Sequence, residues 1–168
     1  MDLEDAVAPE SKEEARAAAV SVLCATDFDA ERFILRINNP ETAEGERDLA
    51  ALTGLETLRD QTLTLMIPKL DSTEGLDHVR SRISDGGRVA QLIPIVETVR
   101  GLARVEELAT ADSVSDILFG GLDLSIELGA ALEWEPLLYA RSRTVHAARL
   151  GGVGAIDMPF WNVSGGGG

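Results

Sequence analysis

Leu92-Ile93-Pro94-Ile95-Val96-Glu97-Thr98 is a short apolar run closed by an acid and a hydroxyl. A run of this kind is too short for an amphipathic helix and suits a strand buried in a parallel sheet. It extends back to give a strand candidate over 89–96, and similar runs occupy 33–37, 63–67, 115–119 and 154–157. Helix-type segments lie between them. Residues 10–25 are rich in Ala, Glu and Arg, and 45–60 carries Leu49, Leu52, Leu55 and Leu58 at three-residue spacing. The segments 73–84 and 102–111 are shorter. Residues 136–150 open with Pro136 at the expected first helical position and stop at Gly151-Gly152. Regular alternation of this kind specifies βαβ units and a parallel sheet.

Polar residues stand at or just beyond the carboxyl ends of successive strands: Asp5, Arg36, Lys69, Glu97, Asp123 and Asp157. The intervals are 31, 33, 28, 26 and 34 residues, one βα unit each. Parallel α/β folds place their chemistry at these ends. In a barrel all of them converge on one axis, whereas an open sheet brings them together only where the strand order reverses. The expected fold is therefore α/β, a TIM-type (β/α)8 barrel, with an open doubly wound parallel sheet as the alternative. A full barrel takes at least ~200 residues. The 168 residues here are expected to supply about six βα units, a barrel truncated at both ends. The domain expectation is 1–160 for the partial barrel and 161–168 for a flexible Gly-rich tail.

Composition narrows the function. Acidic side chains number 29 against 15 basic, a net charge of −14, with 45% hydrophobic residues. That apolar content is globular. The acidity argues against nucleic acid, which needs a basic face, and against an anionic membrane surface. The one cysteine, Cys24, cannot build a disulfide framework and is expected to be a buried small hydrophobe. With no signal-type or membrane-length apolar run, the expected location is the cytoplasm.

The chemistry-bearing candidates follow from the strand ends. Asp2, Glu4 and Asp5 pack three carboxylates into four positions, which either solvates a loop or faces a cation. Arg36 is embedded in an apolar strand, is costly there unless paired, and has a fork suited to a carboxylate. Lys69, in Ile67-Pro68-Lys69, is an anion contact, a Schiff-base amine or a structural ion pair. Glu97 and Asp123 place one carboxylate on each of two successive strand ends, which suits Mg²⁺ with water and substrate oxygens completing its shell. Zinc is disfavoured because Cys24, His78 and His146 have no ligand spacing. No phosphate loop of the Walker or dinucleotide type is present, and nothing supports a Ser–His–Asp triad. The glycines at 120 and 121 are expected to let backbone approach a ligand. Trp134, Trp161, Met66 and Met158 are expected to be packing residues.

Taken together, Asp-Leu-Glu-Asp-Ala-Val (2–7), Leu-Arg-Ile-Asn (35–38), Ile-Pro-Lys (67–69), Pro-Ile-Val-Glu-Thr (94–98), Phe-Gly-Gly-Leu-Asp (119–123) and Ala-Ile-Asp-Met-Pro-Phe (155–160) occur in one order. The chain in this respect resembles the HpcH/HpaI aldolase and citrate lyase β-subunit family. The resemblance implies a TIM-type barrel that cleaves or forms a carbon–carbon bond next to a carbonyl. It implies a Mg²⁺-dependent lyase acting on citryl, malyl or citramalyl thioesters of coenzyme A or an acyl carrier, yielding a keto acid and an acyl thioester. A homo-oligomer is the expected assembly. Carried over by motif, Glu97 and Asp123 are the implied Mg²⁺ ligands and Arg36 the substrate-carboxylate or carbonyl contact. Arg36 and Glu97 are the implied catalytic and substrate-binding pair. Asp2, Glu4 and Asp5 are implied around them, and Lys69 and Asp157 occupy motif positions of less defined role. The alternatives are a truncated homologue that keeps binding with weak or no turnover, and a non-catalytic assembly subunit.

Overall fold

The computed structural model describes residues 1–25, 29, 32–55, 62–84 and 89–159. A 3₁₀ turn (Pro9–Ser11) and helix α1 (Lys12–Leu23) lead into β1 (Ile34–Arg36). Then follow α2 (Ala43–Thr53), β2 (Thr62–Ile67), α3 (Glu74–Ser84) and β3 (Val89–Val96). Two short helices, α4 (Val99–Ala103) and α5 (Val105–Ala109), precede β4 (Asp116–Phe119). Helices α6 (Gly121–Leu128) and α7 (Trp134–Gly151) precede β5 (Gly154–Ile156).

The strands pair in the order β1-β2-β3-β4-β5, parallel throughout. A sequential order has no reversal and hence no switch point, which excludes the doubly wound alternative. The N-terminal residues add the tip of a further strand beside β1. Leu3 N–H donates to the Arg36 carbonyl at 2.8 Å, Arg36 N–H donates to the Met1 carbonyl at 3.0 Å, and Asp2 bridges Arg36 in the parallel sense. Among the described residues the sheet is not closed. Residues 161–168, expected as a tail and including Trp161, lie outside the described set, and the helix expected over 45–60 begins at Ala43 and ends at Thr53, with Gly54 as its C-cap.

One face of the sheet is sealed and the other is partly open. In β2, Leu63, Leu65 and Ile67 are buried in a core shared with Leu49, Leu52, Leu76 and Val79 of α2 and α3. The alternate residues Thr62, Thr64 and Met66 are only half-buried. β4 repeats the pattern, with Ile117 and Phe119 buried and Leu118 half-buried. The near-continuous apolar runs predict strands covered on both faces, yet the helices cover only one. The outer-face leucines and isoleucines each contribute about 1.5–3 kcal/mol on burial, so that face carries the stability.

Several elements differ from the sequence expectation. The 102–111 segment is two helices meeting at Arg104, which caps the first and starts the second. Helix α6 is not foreshadowed, because its opening glycine reads as loop. Pro136 is the third residue of α7, where its missing N–H is still one of the unpaired first-turn donors. Gly152 ends α7 at φ +70°, a conformation that favours glycine. Cys24 is exposed at the end of α1 rather than buried. Trp134 is 57% exposed, its ring packed on the Arg141 guanidinium. No helix among the described residues is long and apolar enough to cross a membrane.

A buried polar network ties the N-terminal segment to this frame. Asp48, fully buried on the apolar stripe of α2, accepts from Arg16 Nε of α1 at 2.8 Å. It also accepts from the Asn38 backbone N–H at 2.8 Å and from Asn38 Nδ2 at 2.7 Å. Removing one partner from such a network strands a buried charge. Asp48→Ala is expected to destabilise the chain by about 3–5 kcal/mol, read as a lowered urea midpoint in circular dichroism. An unchanged midpoint would remove the network from the account.

Candidate active site

The carboxyl ends of the strands meet at one cleft, and residues 2–5 form one of its walls. Arg36, the last residue of β1, donates through Nε to Asp2 Oδ1 at 2.8 Å and pairs with Asp2 Oδ2 through Nη2. Its Nη1 stands 3.1 Å from Glu4 Oε2. Burial alone would raise the Asp2 carboxyl, but the hydrogen bond and charge of Arg36 with backbone donors hold it below the usual range. The same hydrogen bond holds the Arg36 guanidinium above its ordinary value. From behind, Lys12 Nζ donates to the carbonyls of Leu3 and Glu4, each at 2.7 Å, and to Asn38 Oδ1 at 2.8 Å. Asn38 Nδ2 donates to the Leu3 carbonyl at 2.9 Å. The acidic segment is thus clamped between the strand end and α1.

Lys69 crosses the cleft after β2. Its φ is +53°, a left-handed backbone that a non-glycine residue adopts at a cost. Its backbone N–H donates to Glu97 Oε1 at 2.9 Å, and its carbonyl accepts from Asn39 Nδ2 at 2.8 Å. Its ammonium lies 2.7 Å from Glu4 Oε1, 3.3 Å from Asp5 and 3.5 Å from Asp123 Oδ2. Burial works against that charge, and Glu4 and Asp5 more than offset it, so the ammonium is held above the ordinary lysine value. A lysine kept protonated is a poor Schiff-base nucleophile.

Glu97 follows β3 and is 6% exposed. Burial first, and then the neighbouring charge of Asp123, push its pKa up to about 7. Gly120 provides its space: a Cβ there would lie 2.6 Å from Glu97 Cβ and 2.8 Å from Glu97 Oε2. The glycine therefore makes room for the protein's own carboxylate. Asp123 sits half-buried in the first turn of α6, where the helix dipole favours a negative charge. Thr98 fixes the next helix by accepting from Gly101 N–H at 2.9 Å while donating to Asp71 at 2.8 Å.

The cleft has a volume of about 480 Å³. Asp5, Arg36, Glu97 and Asp123 make its polar walls, while Met66, Ile95, Leu118 and Met158 make an apolar floor. Both methionines, expected as packing residues, are therefore cleft-lining. Seven of the expected site residues come together here: Asp2, Glu4, Asp5, Arg36, Lys69, Glu97 and Asp123. Asp157 stands apart, accepting from Arg141 Nε at 3.0 and 3.1 Å. His78 pairs with Glu46 at 2.5 Å, and neither it nor His146 lines the cleft. Among the described residues no group of three or more His, Cys, Asp or Glu is arranged to cage a metal. A carboxylate pair opening onto a cleft instead fits a hard cation that keeps water and takes substrate oxygens.

Sequence reasoning missed the residues that hold this arrangement from behind: Lys12, Arg16, Asn38 and Asp48. A signal was present, since Asp48 falls on the buried stripe Gly45, Asp48, Leu49, Leu52. Arg16 similarly shares a face with Ala19 and Leu23. A charge on an apolar stripe requires a buried partner.

Comparison with known proteins agrees with the family resemblance. The chain is 32% identical to the human mitochondrial citramalyl-CoA lyase over 95% of its own length and 51% of that protein. It spans about half the length of the curated relatives it matches. Its fold superposes on RipC from Yersinia pestis with a TM-score of 0.83 at 36% identity, covering 98% of this chain and 70% of that one. It also matches the CitE protein of Mycobacterium tuberculosis, solved with magnesium, acetoacetate and coenzyme A, with a TM-score of 0.79 at 31% identity, covering 97% and 57% of the two chains. The family model for HpcH/HpaI aldolase/citrate lyase matches residues 1–165, and the chain belongs to that family.

Proposed function

We propose that this chain forms the metal- and keto-acid-binding part of a Mg²⁺-dependent carbon–carbon lyase. The substrate class is a citryl, malyl or citramalyl thioester of coenzyme A or an acyl carrier, cleaved to a keto acid and an acyl thioester. The observation that carries the reading is the carboxylate pair, buried Glu97 and half-buried Asp123, on one wall of a cleft with Arg36 on another. Magnesium, acetoacetate and coenzyme A in the CitE relative support the ligand classes.

Glu97 and Asp123 hold the cation. Bound there, Mg²⁺ supplies Lewis-acid polarisation of the keto-acid oxygens. Arg36 holds the substrate carboxylate or carbonyl oxygen. Asp2 and Glu4 fix its guanidinium in advance, so its charge acts without reorganisation. The apolar floor of Met66, Ile95 and Leu118 excludes water from one side of the reacting carbons. No histidine among the described residues lines the cleft, so the proton for the departing thioester carbon comes from a carboxylic acid, a water or a group outside this chain. The exposed apolar side chains Leu138, Tyr139 and Leu150 of α7 support assembly as a homo-oligomer.

A second reading, binding of metal and keto acid without efficient turnover, is favoured by the half-open inner face of the sheet. Cleavage of malyl- or citramalyl-CoA by the purified chain separates the two. Rapid thioester release supports the lyase, and binding without release supports the second reading.

Calorimetric titration with Mg²⁺ tests the carboxylate pair. Glu97→Gln and Asp123→Asn are each expected to weaken binding by more than about tenfold. Unchanged binding in both would place the metal elsewhere. Glu97 also sets a pH dependence. Burial and the charge of Asp123 push its pKa from the ordinary glutamate value of 4.5 up to about 7 in the fold. Across that window the folded metal-free chain holds a proton that the unfolded chain has lost, so metal-free stability falls as pH rises. Mg²⁺ must displace that proton, so its affinity is expected to fall about tenfold per pH unit below the Glu97 pKa. Titrations and thermal melts at matched pH check both signs, and the slopes should flatten in Glu97→Gln.

A further inference from the structure

The chain has two lysines, Lys12 and Lys69, and both bear on the acidic cleft. They do different things. Lys12 is satisfied by two backbone carbonyls and one amide oxygen. Among the described residues Lys69 meets only carboxylates through its ammonium, at graded distances: 2.7 Å to Glu4, 3.3 Å to Asp5 and 3.5 Å to Asp123. Its backbone N–H holds Glu97 at 2.9 Å. One residue therefore touches both members of the carboxylate pair, Glu97 by its backbone and Asp123 by its side chain. Among the described residues no other cationic group pairs with Asp123. Lys69 makes both contacts from a left-handed backbone at φ +53°, and such strain persists where surrounding contacts over-determine it.

We propose that Lys69 is the cation of the metal-free site: its ammonium bridges Glu4, Asp5 and Asp123, and a divalent cation entering at Glu97 and Asp123 takes its place on Asp123. This rests on the reading of that pair as the metal site. The ammonium and the metal compete for one carboxylate, and like charges oppose their sharing it. Asp123, the longest contact, is released, while Glu4 and Asp5 retain the lysine. The arrangement keeps the acids gathered before metal arrives, at a cost in metal affinity.

The two-lysine composition makes this directly observable. The full chain carrying [¹³Cε]-lysine gives two signals, and a Lys69→Arg variant assigns them. On titration with Mg²⁺ alone, the Lys69 signal is expected to shift saturably with the calorimetric Kd, while the Lys12 signal stays fixed. Lys69→Met is expected to bind Mg²⁺ about tenfold more tightly than the wild type and to melt lower without metal. Lys69→Gly, which also relieves the backbone, should show the same tightening. Wild-type binding with an unmoved Lys69 signal overturns this proposal alone, as does equal or weaker binding by folded Lys69→Met. An absence of Mg²⁺ binding in the wild type overturns the metal reading and this proposal together. If Lys69→Met fails to fold, the wild-type signals still decide.

Discussion

The ion pair between Glu4 and Lys69 is the contact on which the site depends. Five carboxylates, from Asp2, Glu4, Asp5, Glu97 and Asp123, share one end of the sheet with the cationic heads of Arg36 and Lys69. The cluster retains excess negative charge, and like charges about 4 Å apart repel by ~1 kcal/mol in water and several-fold more near a protein surface. Glu4 is where the two cations meet, with Arg36 at one oxygen and Lys69 at the other. Lys69 in turn joins the N-terminal wall, at Glu4 and more distantly Asp5, to Asp123 on the other. The raised pKa of Glu97 records its burial first and the repulsion by Asp123 second, and a divalent cation is the chemical species that would offset both.

Everything behind the cleft serves that placement. The parallel sheet delivers Arg36, Lys69 and Glu97 from adjacent strands, and the outer helices seal only the opposite face. Asp48 and Arg16 lock Asn38, Asn38 and Lys12 lock the backbone of residues 3–4, and the Glu4 carboxylate is thereby fixed in position. The chain of contacts runs from a buried helix face to the cleft. A defect in the helix layer should consequently reach the site through Glu4 before it reaches Glu97, which rests on Lys69 N–H and on the space left by Gly120.

Much of this was legible in the sequence. The apolar run before Glu97 and its neighbours locate the five strands of the described residues, because each is short and apolar with a charge at its end or within four residues beyond it. The interval near 30 residues identifies the βα repeat, and the order of motifs identifies the family. The face pattern was not legible, since an apolar residue such as Ile95 or Leu118 reads the same whether helices or a cleft cover it. Helix α6 was hidden by its glycine start, and a further role of Gly120, which lines the cleft, was not visible: it leaves space for Glu97. Asp157 occupied the right interval, yet Arg141, held between Phe119 and Trp134, takes its carboxylate. Periodicity ranks positions along the chain, whereas an ion pair across helices depends on packing that periodicity does not encode.

The central claim is that this cleft takes a keto acid through a bound cation and not through its own charges alone. Calorimetric titration of the full chain with oxaloacetate, with and without Mg²⁺, tests it most directly. The account predicts binding with Mg²⁺ and none in its absence, because an acidic cleft repels a dianion. Equal binding in the two conditions would contradict it.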